Sequence, residues 1–137
     1  MGMGIKVILQ IDDDPEDCEL FHETLKAISG ADYHAIHDAN KALTALRSGS
    51  LSPDLIFLDL NLPRKDGREV LAEIKSDAGL RRIPVIVLTT SEADRDVHRA
   101  YDLHANCYVR KPTDLDEYLS VIRACEKFWL HIVRLPG

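Results

Sequence analysis

The fold is decided by the segment PDLIFLDLNLP, which occupies positions 53–63. Its uninterrupted apolar run, Leu55–Leu58, ends directly at an acid, Asp59. Such a short, wholly apolar run is typical of a strand that is covered on both faces, as the strands of parallel sheets are. An acid at the end of a buried strand needs solvent or a partner. The segment therefore predicts a buried parallel strand that delivers Asp59 to one edge of a sheet.

Other apolar runs and helical patterns alternate on both sides of this segment. The predicted strands are residues 5–11, 33–37, 55–58, 85–88 and 107–109. The predicted helices are residues 16–28, 40–47, 69–74, 92–103 and 115–133. Because each strand is followed by a helix, the pattern indicates βαβ crossovers and a parallel sheet. We therefore expect an α/β fold with a doubly wound, five-stranded parallel sheet and five helices.

Length, composition and charge exclude several classes of protein. A chain of 137 residues suits one domain, and an apolar content of 45% argues against disorder. The net charge of −6 disfavours binding to nucleic acid, whose phosphates repel an acidic chain. No apolar run approaches the ~20 residues of a membrane span, and no signal peptide is found. The 3 cysteines lack the spacing of a disulfide framework or a zinc site, so we expect a cytoplasmic protein.

Polar residues follow four of the five predicted strands. Asp12 and Asp13 follow the first strand, Asp59 the third, Thr89 the fourth and Lys111 the fifth. Because ligands bind at the carboxyl ends of parallel strands, we expect these side chains to share one crevice. Clustered carboxylates bind a cation or become protonated, and a small set of oxygen ligands favours Mg²⁺. A lysine and a hydroxyl beside that metal can hold phosphoryl oxygens, which makes Asp59 a candidate nucleophile.

These residues also carry a family resemblance. Their types and order resemble the signature of the receiver domains of two-component response regulators: Asp12-Asp13, Asp59, Thr89 and Lys111-Pro112. The resemblance extends over about residues 5–133 and implies a flavodoxin-like fold with strand order 2-1-3-4-5. It implies a single receiver domain over residues 1–137. Such a domain is a signalling protein and not an enzyme, apart from its own phosphorylation and dephosphorylation.

The resemblance assigns a phosphoacceptor and a metal site. Asp59 would accept a phosphoryl group from a histidine of a sensor kinase. Asp13 and Asp59 would bind Mg²⁺, with Asp12 helping through water and Asn61 offering its backbone carbonyl. Asp14 adds a third consecutive acid whose part in metal binding is open, and Pro15 after it favours a helix-capping role.

The resemblance also assigns a switch. Lys111 and Thr89 would hold the phosphoryl group, and Tyr108, three residues before Lys111, matches the aromatic switch residue of the family. The alternative for Tyr108 is an ordinary half-buried strand tyrosine.

A closer resemblance is to the single-domain regulators that are paired with bacterial phytochromes. It is carried by the segments LTTS at 88–91, ANCY at 105–108 and FWLHIVRLP at 128–136. It implies a phytochrome-like sensor histidine kinase as the partner. Since no effector domain follows Pro136, we expect a stand-alone regulator whose output passes through protein contacts or through the partner kinase acting as a phosphate source.

The C-terminal segment, residues 128–137, is predicted to be an extension of the last helix, which we call the arm. It carries apolar residues beyond the point where the helix should have finished covering the sheet: Phe128, Trp129, Ile132, Val133 and Leu135. An exposed aromatic patch at a helix end indicates an interface, and pairing about a two-fold axis predicts a homodimer. The alternative is that these residues fold back on their own core.

Two other functions compete with the phosphorylated switch. A receiver-like scaffold that ignores phosphate would keep the fold alone, but the complete set of site residues argues against it. A small phosphatase of the haloacid dehalogenase type also forms an aspartyl phosphate. That class needs a second acid two residues after the nucleophile, where this chain has Asn61.

Overall fold

A parallel β-sheet positions the candidate site. The computed structural model describes residues 4–136, and in these residues five strands form one sheet in the order β2-β1-β3-β4-β5. All four neighbouring pairs of strands are parallel. The strands are β1 (Val7–Ile11), β2 (Asp32–Ile36), β3 (Leu55–Leu58), β4 (Val85–Thr89) and β5 (Cys107–Arg110). The prediction of a flavodoxin-like sheet with this strand order is confirmed.

Five α-helices connect and cover the strands. They are α1 (Pro15–Ile28), α2 (Ala39–Ser48), α3 (Gly67–Ser76), α4 (Asp94–Asp102) and α5 (Leu115–Lys127). An aspartate side chain caps the N-terminus of every helix except α4: Asp14, Asp38, Asp66 and Asp114. The cap position of α4 is occupied by Ala93, which offers no side-chain acceptor. The helix starts at Asp94, two residues later than the sequence predicts.

The two faces of the sheet bury separate hydrophobic clusters. Alternate residues of the central strands, such as Leu9 and Ile56, pack against α2, α3 and α4. Their neighbours, such as Ile8 and Phe57, pack against α1 and α5. This double coverage explains why the strand sequences are apolar without alternation. Among the described helices, none has the length and apolar content needed to cross a membrane.

The last helix is shorter than predicted. The sequence predicts one helix to Val133, but α5 ends at Lys127 and a π-helical turn, Phe128–Ile132, follows it. The Val133 amide closes this turn by donating to the Phe128 carbonyl at 2.8 Å. A π-helical turn holds more residues than an α-helical turn, so it changes which side chains face the core.

The arm divides its apolar residues between the core and the solvent. Trp129 and Val133 are half-buried against the cluster beneath α1 and α5. Phe128 and Ile132 stay 49% and 63% exposed. The prediction that Leu135 belongs to an exposed patch is wrong, because this side chain is buried in the same cluster. The predicted arm ends at Gly137, which lies outside the described residues.

Candidate functional site

Backbone hydrogen bonds continue beyond the strands and fix the residues that follow them. The Asp59 amide donates to the Ile11 carbonyl at 3.0 Å, and the Lys111 amide donates to the Thr89 carbonyl at 2.7 Å. The Asp12 amide donates to the Ile36 carbonyl at 3.2 Å. The sheet ladder therefore sets the backbone positions of Asp12, Asp59 and Lys111 at one edge of the sheet.

Three carboxylates converge at this edge. Asp12, Asp13 and Asp59 each offer an oxygen, and the three oxygens lie within 4.8 Å of one another. Asp12 and Asp59 are buried, whereas Asp13 is exposed. The carboxylates line a cleft of about 740 Å³, which gives a ligand access to them. A set of hard oxygen donors beside an open cleft fits Mg²⁺, a cation that retains several of its waters.

Lys111 supplies the positive charge that balances these acids. Its Nζ lies 2.6 Å from Asp12 Oδ2, 2.5 Å from Asp17 Oδ2 and 3.4 Å from Asp59 Oδ2. Burial lowers the pKa of Lys111, but the carboxylates of Asp12 and Asp59 and the hydrogen bonds to Asp12 and Asp17 raise it above its usual value. The amine therefore stays protonated and remains a donor to anionic oxygens.

Burial has the opposite effect on Asp12. Loss of solvent raises the pKa of Asp12 to about 6, even though Lys111 and the amide of Asp14 act to lower it. The nearby charge of Asp59 raises it further. The site therefore keeps one carboxyl that protonates at mildly acidic pH in the absence of a cation.

Asn61 connects the phosphoacceptor candidate to Thr89. The Asn61 amide donates to Asp59 Oδ1 at 3.1 Å, which orients that carboxylate. The Asn61 side-chain amide donates to Thr89 Oγ1 at 3.3 Å. Thr89 itself is fully buried, and its neighbour Thr90 lines the cleft instead. The Thr89 hydroxyl therefore does not line the cleft itself, but it is hydrogen-bonded to Asn61, which does.

Tyr108 faces inward from β5. Its side chain packs against the core beneath α2, α3 and α4, and its hydroxyl donates to the Ser91 carbonyl at 2.9 Å. The Ser91 hydroxyl donates to Asp96 Oδ2 at 2.5 Å, and Arg68 pairs with the other oxygen of Asp96. Tyr108 is therefore joined to the loop that follows Thr89 and, through it, to α3.

Asp14 has a local structural role. Its Oδ1 accepts hydrogen bonds from the amides of Glu16 at 3.0 Å and Asp17 at 3.4 Å, so Asp14 is the N-cap of α1. The capping role suggested by Pro15 is therefore present in the structure, although Asp14 also lines the cleft.

Two residues of the site were not predicted from the sequence. Asp17, in the first turn of α1, forms an ion pair with Lys111, and Tyr118 of α5 lines the cleft with a buried hydroxyl to which residues 4–136 supply no hydrogen bond of good geometry. The available signal for Asp17 was weak: it is an acid one helical turn beyond three consecutive acids. Because acids are common in the first turn of any helix, that pattern alone does not distinguish a site residue.

Comparisons with known proteins agree with this geometry. The sequence model for the response regulator receiver domain matches residues 8–123. Response regulator Rcp1 from Synechocystis sp. is 46% identical over 139 residues, which cover 96% of this chain and 94% of Rcp1.

Solved structures give the same result. The Mn²⁺-bound form of response regulator Rcp1 has a TM-score of 0.91 and 45% identity, with coverage of 96% of this chain and 99% of that one. The phosphorylated cyanobacterial phytochrome response regulator RcpA has a TM-score of 0.93 and 42% identity, with coverage of 98% and 100%. The bacteriophytochrome response regulator AtBRR has a TM-score of 0.70 and 34% identity, with coverage of 88% and 91%. The fold, the acidic cleft and these matches together show that the chain belongs to the response regulator receiver domain family.

Proposed function

We propose that this receiver accepts a phosphoryl group on Asp59 from a phosphohistidine of a sensor histidine kinase. The observation that carries the proposal is the convergence of Asp12, Asp13 and Asp59 on Lys111 in one open cleft. A carboxylate oxygen of Asp59 attacks phosphorus, the P–N bond breaks and the kinase imidazole leaves with the bonding electron pair. The chain takes part only through its own phosphorylation and dephosphorylation, so its role is that of a switch and not of an enzyme.

A divalent cation fits the donor set, and we assign it as Mg²⁺. Asp13 and Asp59 would hold it, with Asp12 nearby and the backbone carbonyl of Asn61 as a further ligand. The cation would offset the negative charge of the carboxylates and of the phosphoryl oxygens. The Mn²⁺-bound form of the similar response regulator Rcp1 supports a divalent metal at this site.

Lys111 and Thr89 would receive the remaining phosphoryl oxygens. Lys111 already faces Asp59 Oδ2, and Thr89 is joined to the same region through Asn61. Tyr108 would transmit the change, because its hydroxyl is bonded to the loop that begins just after Thr89. The alternative is that Tyr108 is a half-buried tyrosine of β5 that takes no part in switching.

The partner would be a phytochrome-like sensor histidine kinase in the cytoplasm. This assignment is supported by the similarity to RcpA, a phytochrome response regulator, and to AtBRR, a bacteriophytochrome response regulator. We further infer that residues 1–137 act as one receiver domain with the arm as its C-terminal extension. A haloacid dehalogenase-type phosphatase is not supported, since residues 8–123 match the receiver family.

We also propose that the chain forms a homodimer through the arm. Phe128 and Ile132, the first and last residues of the π-helical turn, present apolar side chains to solvent. The ring of Phe128 meets that of Trp129 edge to face, with a centroid separation of 5.3 Å, which holds Phe128 in place. Because Trp129 and Val133 are half-buried and Leu135 is buried, the free patch is smaller than the sequence suggested.

The test of the proposed function is phosphorylation of the purified chain by acetyl phosphate with Mg²⁺. We expect an alkali-labile phosphate on the natural chain and none on Asp59→Asn, which keeps the side-chain shape and removes the nucleophile. Chelation of the metal should prevent the reaction, and Lys111→Ala should be phosphorylated more slowly. Intact-mass and peptide mass spectrometry locate the phosphate. Phosphate on another residue of Asp59→Asn would contradict the acceptor assignment, and an unmodified natural chain would favour a phosphate-blind scaffold.

A further inference from the structure

Two acids of the cleft, Asp14 and Asp17, belong neither to the predicted metal ligands nor to the phosphoacceptor, and Asp14 is engaged as the N-cap of α1. Asp17 projects from the first turn of α1, and its side chain is only 14% exposed. Its Oδ2 lies 2.5 Å from Lys111 Nζ, whereas Asp59 Oδ2 lies 3.4 Å from the same nitrogen. Lys111 therefore makes a closer ion pair with Asp17 than with Asp59, the candidate phosphoacceptor.

Three carboxylates share the Lys111 amine, which donates hydrogen bonds to Asp12 and Asp59 and forms a close ion pair with Asp17. An ammonium group has three N–H donors and no acceptor. Three carboxylates surround it, and the two nearest are Asp12 and Asp17. To bind a phosphoryl oxygen on Asp59 more strongly than it now binds the carboxylate, the amine must loosen one of these two contacts.

Asp17 is the contact that can be released at less cost. Asp12 is the more deeply buried of the two, 2% against 14% exposed, and it lies in the acidic cluster, so loss of Lys111 would leave a buried charge unpaired. Asp17 also has a second donor close by, since the Tyr118 hydroxyl is buried in the same cleft and residues 4–136 supply no other hydrogen bond to it. Burial, the charge of Asp17 and hydrogen bonding to Asp17 all raise the pKa of Tyr118.

We propose that Asp17 is a positioning residue that competes with the phosphoryl group for Lys111. In the unphosphorylated chain, Asp17 draws the amine closer to itself than to Asp59, with which Lys111 keeps only a long hydrogen bond. When Asp59 carries a phosphoryl group, Lys111 moves toward it and Asp17 turns to the Tyr118 hydroxyl. This inference depends on the proposed function, since it assumes that Asp59 is the acceptor.

The test compares Asp17→Asn with Asp14→Asn. Both variants remove one negative charge from the same cleft and keep the side-chain shape, and asparagine at position 14 can still cap α1. The described contacts of Asp14 do not include Lys111. The probe is beryllofluoride with Mg²⁺, a phosphoryl mimic whose affinity is measured by calorimetry.

We expect Asp17→Asn to bind beryllofluoride about fivefold more tightly than the natural chain, and Asp14→Asn to stay within about twofold. The rate of phosphorylation by acetyl phosphate should be higher for Asp17→Asn than for the natural chain or Asp14→Asn. In a Lys111→Ala background, the advantage of Asp17→Asn over Asp14→Asn should disappear, because there is no amine to release. A general loss of structure would not depend on Lys111 in this way. Asp17→Ser serves as a second variant, and urea unfolding shows that each variant is folded.

Equal gains in both variants would overturn the inference, since they would report net charge alone. Weaker binding by Asp17→Asn would also overturn it and would show that Asp17 directs Lys111 toward Asp59. If the natural chain binds beryllofluoride and Asp17→Asn binds it with the same affinity, the competition is refuted and the proposed function stands. A natural chain that binds no beryllofluoride and accepts no phosphate refutes the proposed function and this inference with it.

Discussion

The charge of Asp12 is costly to the fold. Its side chain is 2% exposed and shares Lys111 with two other carboxylates. Because burial raises the pKa of Asp12 to about 6, the folded chain binds a proton at this site more tightly than the unfolded chain does. Function at neutral pH therefore depends on a charge that the metal-free fold accommodates poorly.

This imbalance predicts how stability depends on pH. For an acid with a raised pKa, the stabilising effect of protonation is complete below the unfolded pKa of about 4 and is lost as pH rises through about 6. Without metal, Asp12→Asn should therefore gain stability relative to the natural chain as pH rises from about 4 to about 7. The gain should be on the order of 2 kcal/mol. Urea unfolding in a chelating buffer measures it, and a difference that stays constant with pH would contradict the prediction.

Most site residues could be predicted because strand ends determine their positions. Asp59 and Lys111 follow recognisable apolar runs, and a parallel sheet brings such ends together. Asp17 could not be predicted in this way, because its direction depends on how α1 rotates against the sheet. The same limit applies to Thr89 and Thr90: the order of the residues does not show that the first is buried and the second lines the cleft.

At the scale of elements, the approach of α3 to the end of β3 depends on Gly67. A Cβ at this position would lie 2.4 Å from the Asp59 carbonyl oxygen and 2.5 Å from the Leu60 Cα, both of them backbone atoms. Gly67 also donates its amide to the Leu60 carbonyl at 3.0 Å. The first turn of α3 therefore packs directly on the backbone that carries Asp59.

Gly67→Ala should consequently destabilise the fold by about 2 kcal/mol or more, because backbone atoms must shift to admit the methyl group. Gly30→Ala is the matched control, since a Cβ there meets nothing within 4 Å. Urea unfolding of both variants measures the effect. Equal stabilities of the two variants would contradict the prediction and show that the backbone after β3 can shift at little cost in free energy.

The elements themselves were predictable where periodicity was strong. The strand Leu55–Leu58 has the predicted bounds, and the strand order implied by the family resemblance is confirmed. The end of α5 was not predictable, because the apolar spacing of residues 128–133 continues the helical pattern. The π-helical turn is determined by tertiary packing, which places Trp129 and Val133 on the core.

At the scale of the whole molecule, the exposed part of the arm predicts the state of association. We expect a homodimer at about 50 µM, and a Phe128→Ala/Ile132→Ala variant should weaken association at least tenfold, because both exposed apolar side chains are lost. The matched control is Leu115→Ala/Ile28→Ala, which removes exposed apolar side chains outside the arm. Sedimentation velocity distinguishes these cases. A monomeric natural chain, with and without beryllofluoride, would contradict the homodimer.

The arm also holds the single tryptophan of the chain, and this makes it an optical probe. Trp129 follows the 13 residues of α5, so it lies about 20 Å along the helix from the end nearest the cleft. Its emission therefore responds to solvent at the arm and not to charge near Asp59. Association through the arm should shift the emission to shorter wavelength, whereas cation binding that leaves the arm in place should not change the spectrum. Fluorescence can thus separate events at the two ends of α5 without any added label.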